Sequence, residues 1–219
     1  MVLKLHGSPI STCTKRVAAV LHEKHVPFEL VPVDFAKGEH KSAAHRAKQP
    51  FGQVPYIDDD GFVLYESRAI ARYVAAKYAA QGTPLVPSTS DLKATALFEQ
   101  AVSVEGSNFD PFASGLAYEK VFIPMRGGAT NEAHVEYLAK TLDMKLDGYE
   151  AILSKQKYLA GDEITLADLF HLPYGAFLKR LDYNYLEDPV KRPNVARWWK
   201  DITSRPSWQA VQEKVESSL

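Results

Sequence analysis

Three segments at the start decide what this chain can fold into. Residues 2–6 form a short apolar run, and Gly7-Ser8-Pro9 breaks it. From Ser11 the pattern turns helical, with Cys13, Val17, Val20 and Leu21 at i, i+4, i+7 and i+8. That helix ends before Val26-Pro27, and Phe28-Glu29-Leu30-Val31-Pro32-Val33 alternates as a second strand. Strand, helix, strand in about 30 residues is a βαβ unit, so the two strands are expected to run parallel through a right-handed crossover.

Residues 34 to 49 are polar and basic and read as a loop with one short helix. Pro55-Tyr56-Ile57-Asp58 and Phe62-Val63-Leu64-Tyr65 flank Asp59-Asp60-Gly61, a hairpin signal. A helix follows from about Ser67, with Ile70, Tyr73, Val74 and Tyr78 on one face. The order βαβ-ββα is the thioredoxin-like arrangement.

After residue 90 no strand pattern returns. Residues 92–108 read as helix, and Val135, Leu138, Leu142, Leu146, Tyr149 and Leu153 advance by three or four. Residues 109–131 are less regular. At Ile164-Thr165-Leu166-Ala167-Asp168-Leu169, Thr165 and Asp168 can cap each other's amides, with Ile164 and Leu169 as the staple. Pro173 is expected to kink the helix that follows. Trp198 and Trp199, among apolar helical positions, read as core. The expected division is an α/β thioredoxin-like domain at 1–80, a Gly/Pro/Ser linker at 81–90, and an all-helical domain at 91–219.

A net charge of -1 gives no footprint for nucleic acid or an anionic membrane. No run of about 18 apolar residues spells a transmembrane helix. One cysteine, Cys13, excludes an internal disulfide and fits a reducing compartment. The N-terminus reads as a strand and not as a secretion signal. A soluble cytoplasmic protein is expected. No metal-binding spacing or phosphate-cradling glycine motif is present, and no metal is expected.

Two stretches carry chemistry. Val54-Pro55, at the start of a strand, offers open backbone for a peptide to pair with. Glu66-Ser67, at a strand-to-helix junction, offers a carboxylate to an amine and a hydroxyl to a carboxylate. Together they suggest a small zwitterionic, peptide-like ligand. Each residue also has a plainer reading. Ser11 can be a helix N-cap and Cys13 a small core residue. His40 and Lys41 can belong to a solvated basic face, Pro55 to an edge strand, and Glu66-Ser67 to a simple helix start.

The segments Ser11-Thr12-Cys13-Thr14-Lys15-Arg16, Gly38-Glu39-His40-Lys41, Pro50-Phe51-Gly52-Gln53-Val54-Pro55 and Glu66-Ser67-Arg68-Ala69-Ile70 resemble the phi class of the glutathione S-transferases, known from plants and also found in fungi. The resemblance spans the whole chain. It implies glutathione as co-substrate, with no other cofactor. It implies that Ser11 donates to the glutathione sulfur, beside Thr12, and that His40 and Lys41 hold the glycyl carboxylate. Gln53 and Val54 would pair with the cysteinyl backbone, with Pro55 cis. Glu66 would take the γ-glutamyl amine and Ser67 its carboxylate. An apolar electrophile would meet Ile10, Thr12 and Phe35 from the first domain and Phe112 and Leu116 from the second. Phe51, an aromatic in a polar loop, would anchor a homodimer.

The expected activity is conjugation of glutathione to small hydrophobic electrophiles, with peroxide reduction as a side activity of the same thiolate. Two alternatives stand beside it: a non-catalytic carrier of hydrophobic ligands, and a thiol transferase that works through Cys13. No second cysteine stands at C-x-x-C spacing to support the latter.

Overall fold

Leu3–Gly7 (β1) places Leu3 and Leu5 in the core and turns Lys4 to solvent, the alternation a half-buried strand requires. The computed structural model describes residues 2–219. The chain divides into two compact units, Met1–Val86 with Arg205–Leu219, and Pro87–Ser204.

In the first unit β1 leads into α1 (Thr12–Glu23) and returns as β2 (Phe28–Pro32). β1 and β2 pair in parallel, Leu5 beside Leu30. A 3-10 turn at Glu39–Lys41 and the short α2 (Ala43–Arg46) occupy the basic loop. β3 (Tyr56–Asp59) and β4 (Phe62–Tyr65) form the hairpin, joined through Asp60 at φ 56° and Gly61 at φ 88°. Positive φ at both central residues matches the twist of the flanking strands. β3 runs antiparallel to β1, the sheet order is β2-β1-β3-β4, and α3 (Ser67–Lys77) closes the motif. Val17, Val20 and Leu21 of α1 and Ile70, Ala71 and Val74 of α3 have no exposed surface. Each large aliphatic side chain so buried contributes about 1.5–3 kcal/mol.

The tail after Arg205 completes this unit. α11 (Pro206–Gln209), numbered in chain order, is followed by an extended stretch in which Ser218 and Phe28 exchange backbone hydrogen bonds of 2.8 and 2.9 Å. The Leu30 amide donates to Ser217 Oγ at 2.9 Å. The free edge of β2 is thereby covered, which blocks edge-to-edge association. The expected helical domain at 91–219 includes these residues, but they group with the first unit. Their packing depends on partners far away in sequence, which no local period reports.

The second unit is helical: α4 (Leu92–Asn108), α5 (Asp110–Ala117), a π-helical turn (Tyr118–Phe122), α6 (Ile123–Met125), α7 (Glu132–Leu153), α8 (Leu166–Leu169), α9 (Leu172–Arg180) and α10 (Pro193–Thr203). The six expected core positions of α7 are all buried. The segment that reads as irregular is thus mostly helical, with a π turn. The capping box forms at Thr165 and Asp168, and both staple residues, Ile164 and Leu169, are buried. Pro173 kinks no continuous helix. The chain breaks at 170–171, and Pro173 falls in the first turn of α9, where its missing N–H costs nothing. Trp198 is fully buried and Trp199 nearly so, as the pattern requires. Among the described residues no helix is long and apolar enough to cross a membrane.

Candidate active site

The first unit brings three segments to the ends of its elements. Ser11 is the N-cap of the 12-residue helix α1, in extended conformation. Its Oγ accepts from the Thr14 amide at 3.4 Å, longer than the 2.7–3.2 Å of a firm N–H···O bond. The capping role is real but weakly held. The hydroxyl proton finds no acceptor among the described residues. A donor at the positive end of a helix suits an anion, because unpaired amides and the helix dipole both favour negative charge there.

Cys13 is partly exposed, which corrects its reading as a buried core residue. Arg16 lies one turn further along α1 and is almost wholly buried. Its Nη1 donates to Ser67 Oγ at 2.9 Å and lies 3.5 Å from Cys13 Sγ. The sequence alone gives no sign of a buried cation next to Ser67. In the sequence Arg16 is simply a charge on a helix.

Lys41 Nζ donates to the carbonyls of Gly52 at 2.8 Å and Phe51 at 3.3 Å. Its ammonium is therefore held at the mouth of the 49–54 loop. Gly52 has φ +61°, and a Cβ there would lie 2.8 Å from the His40 carbonyl oxygen. Only glycine accepts that conformation and that close approach without strain. The Val54-Pro55 bond is cis. Gln53 is exposed, Val54 half-buried and Pro55 buried. The Gln53 backbone is bound at both ends, its amide to Gln49 Oε1 at 3.0 Å and its carbonyl to His45 Nε2 at 2.7 Å.

Glu66, and not Ser67, is the N-cap of α3, and its side chain makes no capping bond. Its φ of +71° is unusual for a residue with a Cβ and costs about 1–2 kcal/mol. An exposed carboxylate held in a strained backbone beside a buried hydroxyl is an arrangement that folding alone does not demand.

The remaining candidates separate. Ile10 and Phe35 are exposed in the first unit, with Phe35 edge-on to His40, and Thr12 is buried at the start of α1. His40 is half-buried. Phe51 is exposed and edge-on to Tyr65. In the second unit Phe112 is half-buried on α5, whereas Leu116 has no exposed surface and is a core side chain. Among the described residues no cluster of histidine, cysteine or carboxylate side chains is arranged to hold a metal.

Two family descriptions match the chain: "Glutathione S-transferase, N-terminal domain" over residues 5–83 and "Glutathione S-transferase, C-terminal domain" over residues 112–206. Glutathione S-transferase PM239X14 of Arabidopsis thaliana is 54% identical over 201 residues, covering 91% of this chain and 90% of its own. The crystal structure of glutathione transferase F7 from Populus trichocarpa superposes with a TM-score of 0.91 at 42% identity, over 97% of this chain and 98% of that one. Glutathione S-transferase I from maize, solved with an atrazine glutathione conjugate, gives a TM-score of 0.85 at 35% identity, over 96% of each chain.

Proposed function

Because this chain belongs to the glutathione S-transferases, and within them resembles the phi class, we propose that it joins the sulfur of glutathione to small hydrophobic electrophiles. The maize relative, solved with an atrazine glutathione conjugate, supports a reading in which the glutathione sulfur ends bonded to the electrophile.

The observation that carries the proposal is the state of Ser11. It stands at the N-terminus of α1 with a loosely held oxygen and a proton free to donate. A free thiol of pKa about 8.5 is mostly protonated at neutral pH. Lowering that value by two units favours the thiolate by about 2.7 kcal/mol. The Ser11 hydroxyl and the helix dipole supply part of it, and Ser11 keeps its own proton.

The rest of the ligand follows the chemistry of its ends. Lys41, with His40 beside it, takes the glycyl carboxylate. Val54 pairs with the cysteinyl backbone as an added strand, next to Gln53 and the cis Pro55. Glu66 takes the γ-glutamyl amine, and Ser67 donates to the neighbouring carboxylate. Thr12 lies beside the sulfur, and Ile10 and Phe35 are apolar surface for the electrophile. Holding both reactants and stabilising the thiolate then supply the rate. The same thiolate attacks the O–O bond of a peroxide, a side activity of the same site. We place the protein in the cytoplasm and assign Phe51 as an anchor between two copies. A monomer mass in light scattering well above micromolar concentration counts against that anchor.

The deciding experiment compares the intact protein with Ser11→Ala in conjugating glutathione to a chlorodinitrobenzene-type acceptor, with folding and glutathione binding checked in both. A fall of tenfold or more, about 1.4 kcal/mol in the barrier, supports Ser11 as the donor. Retained activity, lost instead in Cys13→Ser, supports the thiol-transferase alternative. Binding of hydrophobic ligands without turnover supports the carrier.

A further inference from the structure

We propose that His45 and Gln49 are positioning residues that hold the Val54 edge open for glutathione, an inference that rests on the reading of Val54 given above. In an extended segment, consecutive residues direct their N–H and C=O groups to opposite edges. If Val54 turns its pair outward to a peptide, Gln53 turns its pair inward, where each group needs a partner. A buried amide or carbonyl left without one costs about 1–3 kcal/mol.

The two partners are side chains of the preceding loop. Gln49, 1% exposed, accepts from the Gln53 amide through Oε1 at 3.0 Å. His45, 7% exposed, faces the Gln53 carbonyl through Nε2 at 2.7 Å. A carbonyl only accepts, so Nε2 carries the proton in this bond. Val54 itself makes no backbone hydrogen bond to protein among the described residues. Gln53 is thus saturated and Val54 open.

Both clamps are themselves fixed. The Gln49 amide donates to the His45 carbonyl at 2.9 Å, and the His45 amide donates to Ser42 Oγ at 3.2 Å. The His45 ring lies edge-on to Tyr56, 5.3 Å between centroids, and Tyr56 stacks on His6 of β1 at 4.3 Å. The imidazole is held against the sheet that carries the segment it orients. A group supported in this way aims its neighbour better than a free loop side chain does. Neither residue is assigned a contact with glutathione. Each acts through Gln53.

The test measures glutathione affinity by calorimetry and KM for the electrophile in the intact protein and four variants. His45→Leu and Gln49→Met remove the donor and the acceptor; His45→Gln and Gln49→Glu retain them. The expected result is a rise of roughly tenfold in the glutathione dissociation constant for the first pair, mostly recovered in the second. KM for the electrophile stays within about twofold, since that substrate does not touch the 53–54 backbone. Hydrogen exchange at the Gln53 amide speeds up in Gln49→Met. Unchanged affinity in His45→Leu and Gln49→Met overturns the inference, as does an equal loss in the conservative pair or a parallel rise in electrophile KM. If His45→Leu does not fold, the Gln49 pair decides. An intact protein that does not bind glutathione overturns the underlying reading of Val54; one that binds as well as all four variants overturns this inference alone.

Discussion

Arg16 donates to the hydroxyl oxygen of Ser67 at 2.9 Å, joining α1 to the start of α3, and the two residues are 1% and 5% exposed. The bond assigns a direction to Ser67. With its oxygen accepting from a cation, its proton is left to point elsewhere. Ser67 is therefore arranged as a donor, and the positive charge behind it favours an anion in front.

This arrangement predicts that Ser67→Ala weakens glutathione binding about tenfold, the scale of one hydrogen bond to a charged group. Arg16→Gln should weaken it too, and the double variant should lose less than the sum, with a coupling of about 1 kcal/mol. Calorimetry with glutathione and with an analogue lacking the γ-glutamyl carboxylate checks it. The analogue should bind the intact protein and Ser67→Ala alike. Strict additivity, or an equal loss with the analogue, removes Arg16 from the chain of cause.

Gly52→Ala places a methyl against the His40 carbonyl and Lys41 at a φ of +61°. The expected cost is about 1–2 kcal/mol in stability, because the backbone conformation and the space are both wrong for alanine. Lys41 Nζ, now on the Gly52 carbonyl, is displaced with it. Glutathione affinity should fall together with the melting temperature. A fully stable variant with unchanged affinity contradicts the assigned role of this loop.

How much of this was legible in the sequence depends on the range of the interactions. The βαβ-ββα order is local, since Val17, Val20 and Leu21 share one helical face and Asp60-Gly61 fits one turn type. The helical half is legible for the same reason at Val135 to Leu153. Arg16 is not, because its burial comes from α3, 51 residues away, and the helix it sits on carries charge elsewhere. Cys13 shares the apolar spacing of α1 but is partly exposed, although its neighbours Thr12 and Thr14 are buried. The tail at Ser218 has no period, since it is held by bonds to Pro9, Phe28 and Leu30, all far away in sequence. Of the site, Val54 and Glu66 stand out through their own chemistry at a strand start and a helix start, and Ser11 and Lys41 through the family resemblance. Their supports become visible only in the folded chain: His45 and Gln49 once the loop is formed, and Arg16 once α1 meets the start of α3.

Asp168 accepts four hydrogen bonds, from the Leu159 amide, the Thr165 amide and hydroxyl, and Trp198 Nε1, with no exposed surface of its own. Asp168→Ala leaves those donors buried and unpaired, so the loss of stability should be roughly 3 kcal/mol or more. Asp168→Asn keeps the shape but turns an NH2 group towards two of the four donors, and should recover only part of it. Chemical denaturation of the three proteins measures the order. An alanine variant within about 1 kcal/mol of the intact protein contradicts the prediction.

Glu23 sets an acid limit for the first unit. Burial pushes its carboxyl up, but Arg205 at 2.6 and 2.7 Å, Ser207 at 2.5 Å and Thr83 at 2.5 Å outweigh burial and hold it below its ordinary value of 4.5. An acid with a depressed pKa in the folded state releases its proton more readily there than when unfolded. It therefore contributes stability that is complete above about pH 4.5 and is lost as pH falls towards the folded value. The melting temperature should decline through that window, and Glu23→Gln, which cannot titrate, should decline less steeply. At neutral pH the variant is the less stable of the two, since glutamine pairs poorly with the Arg205 guanidinium. The gap between the proteins should narrow as the medium is acidified. A gap that stays constant from pH 7 to about pH 3 would remove Glu23 as the titrating group.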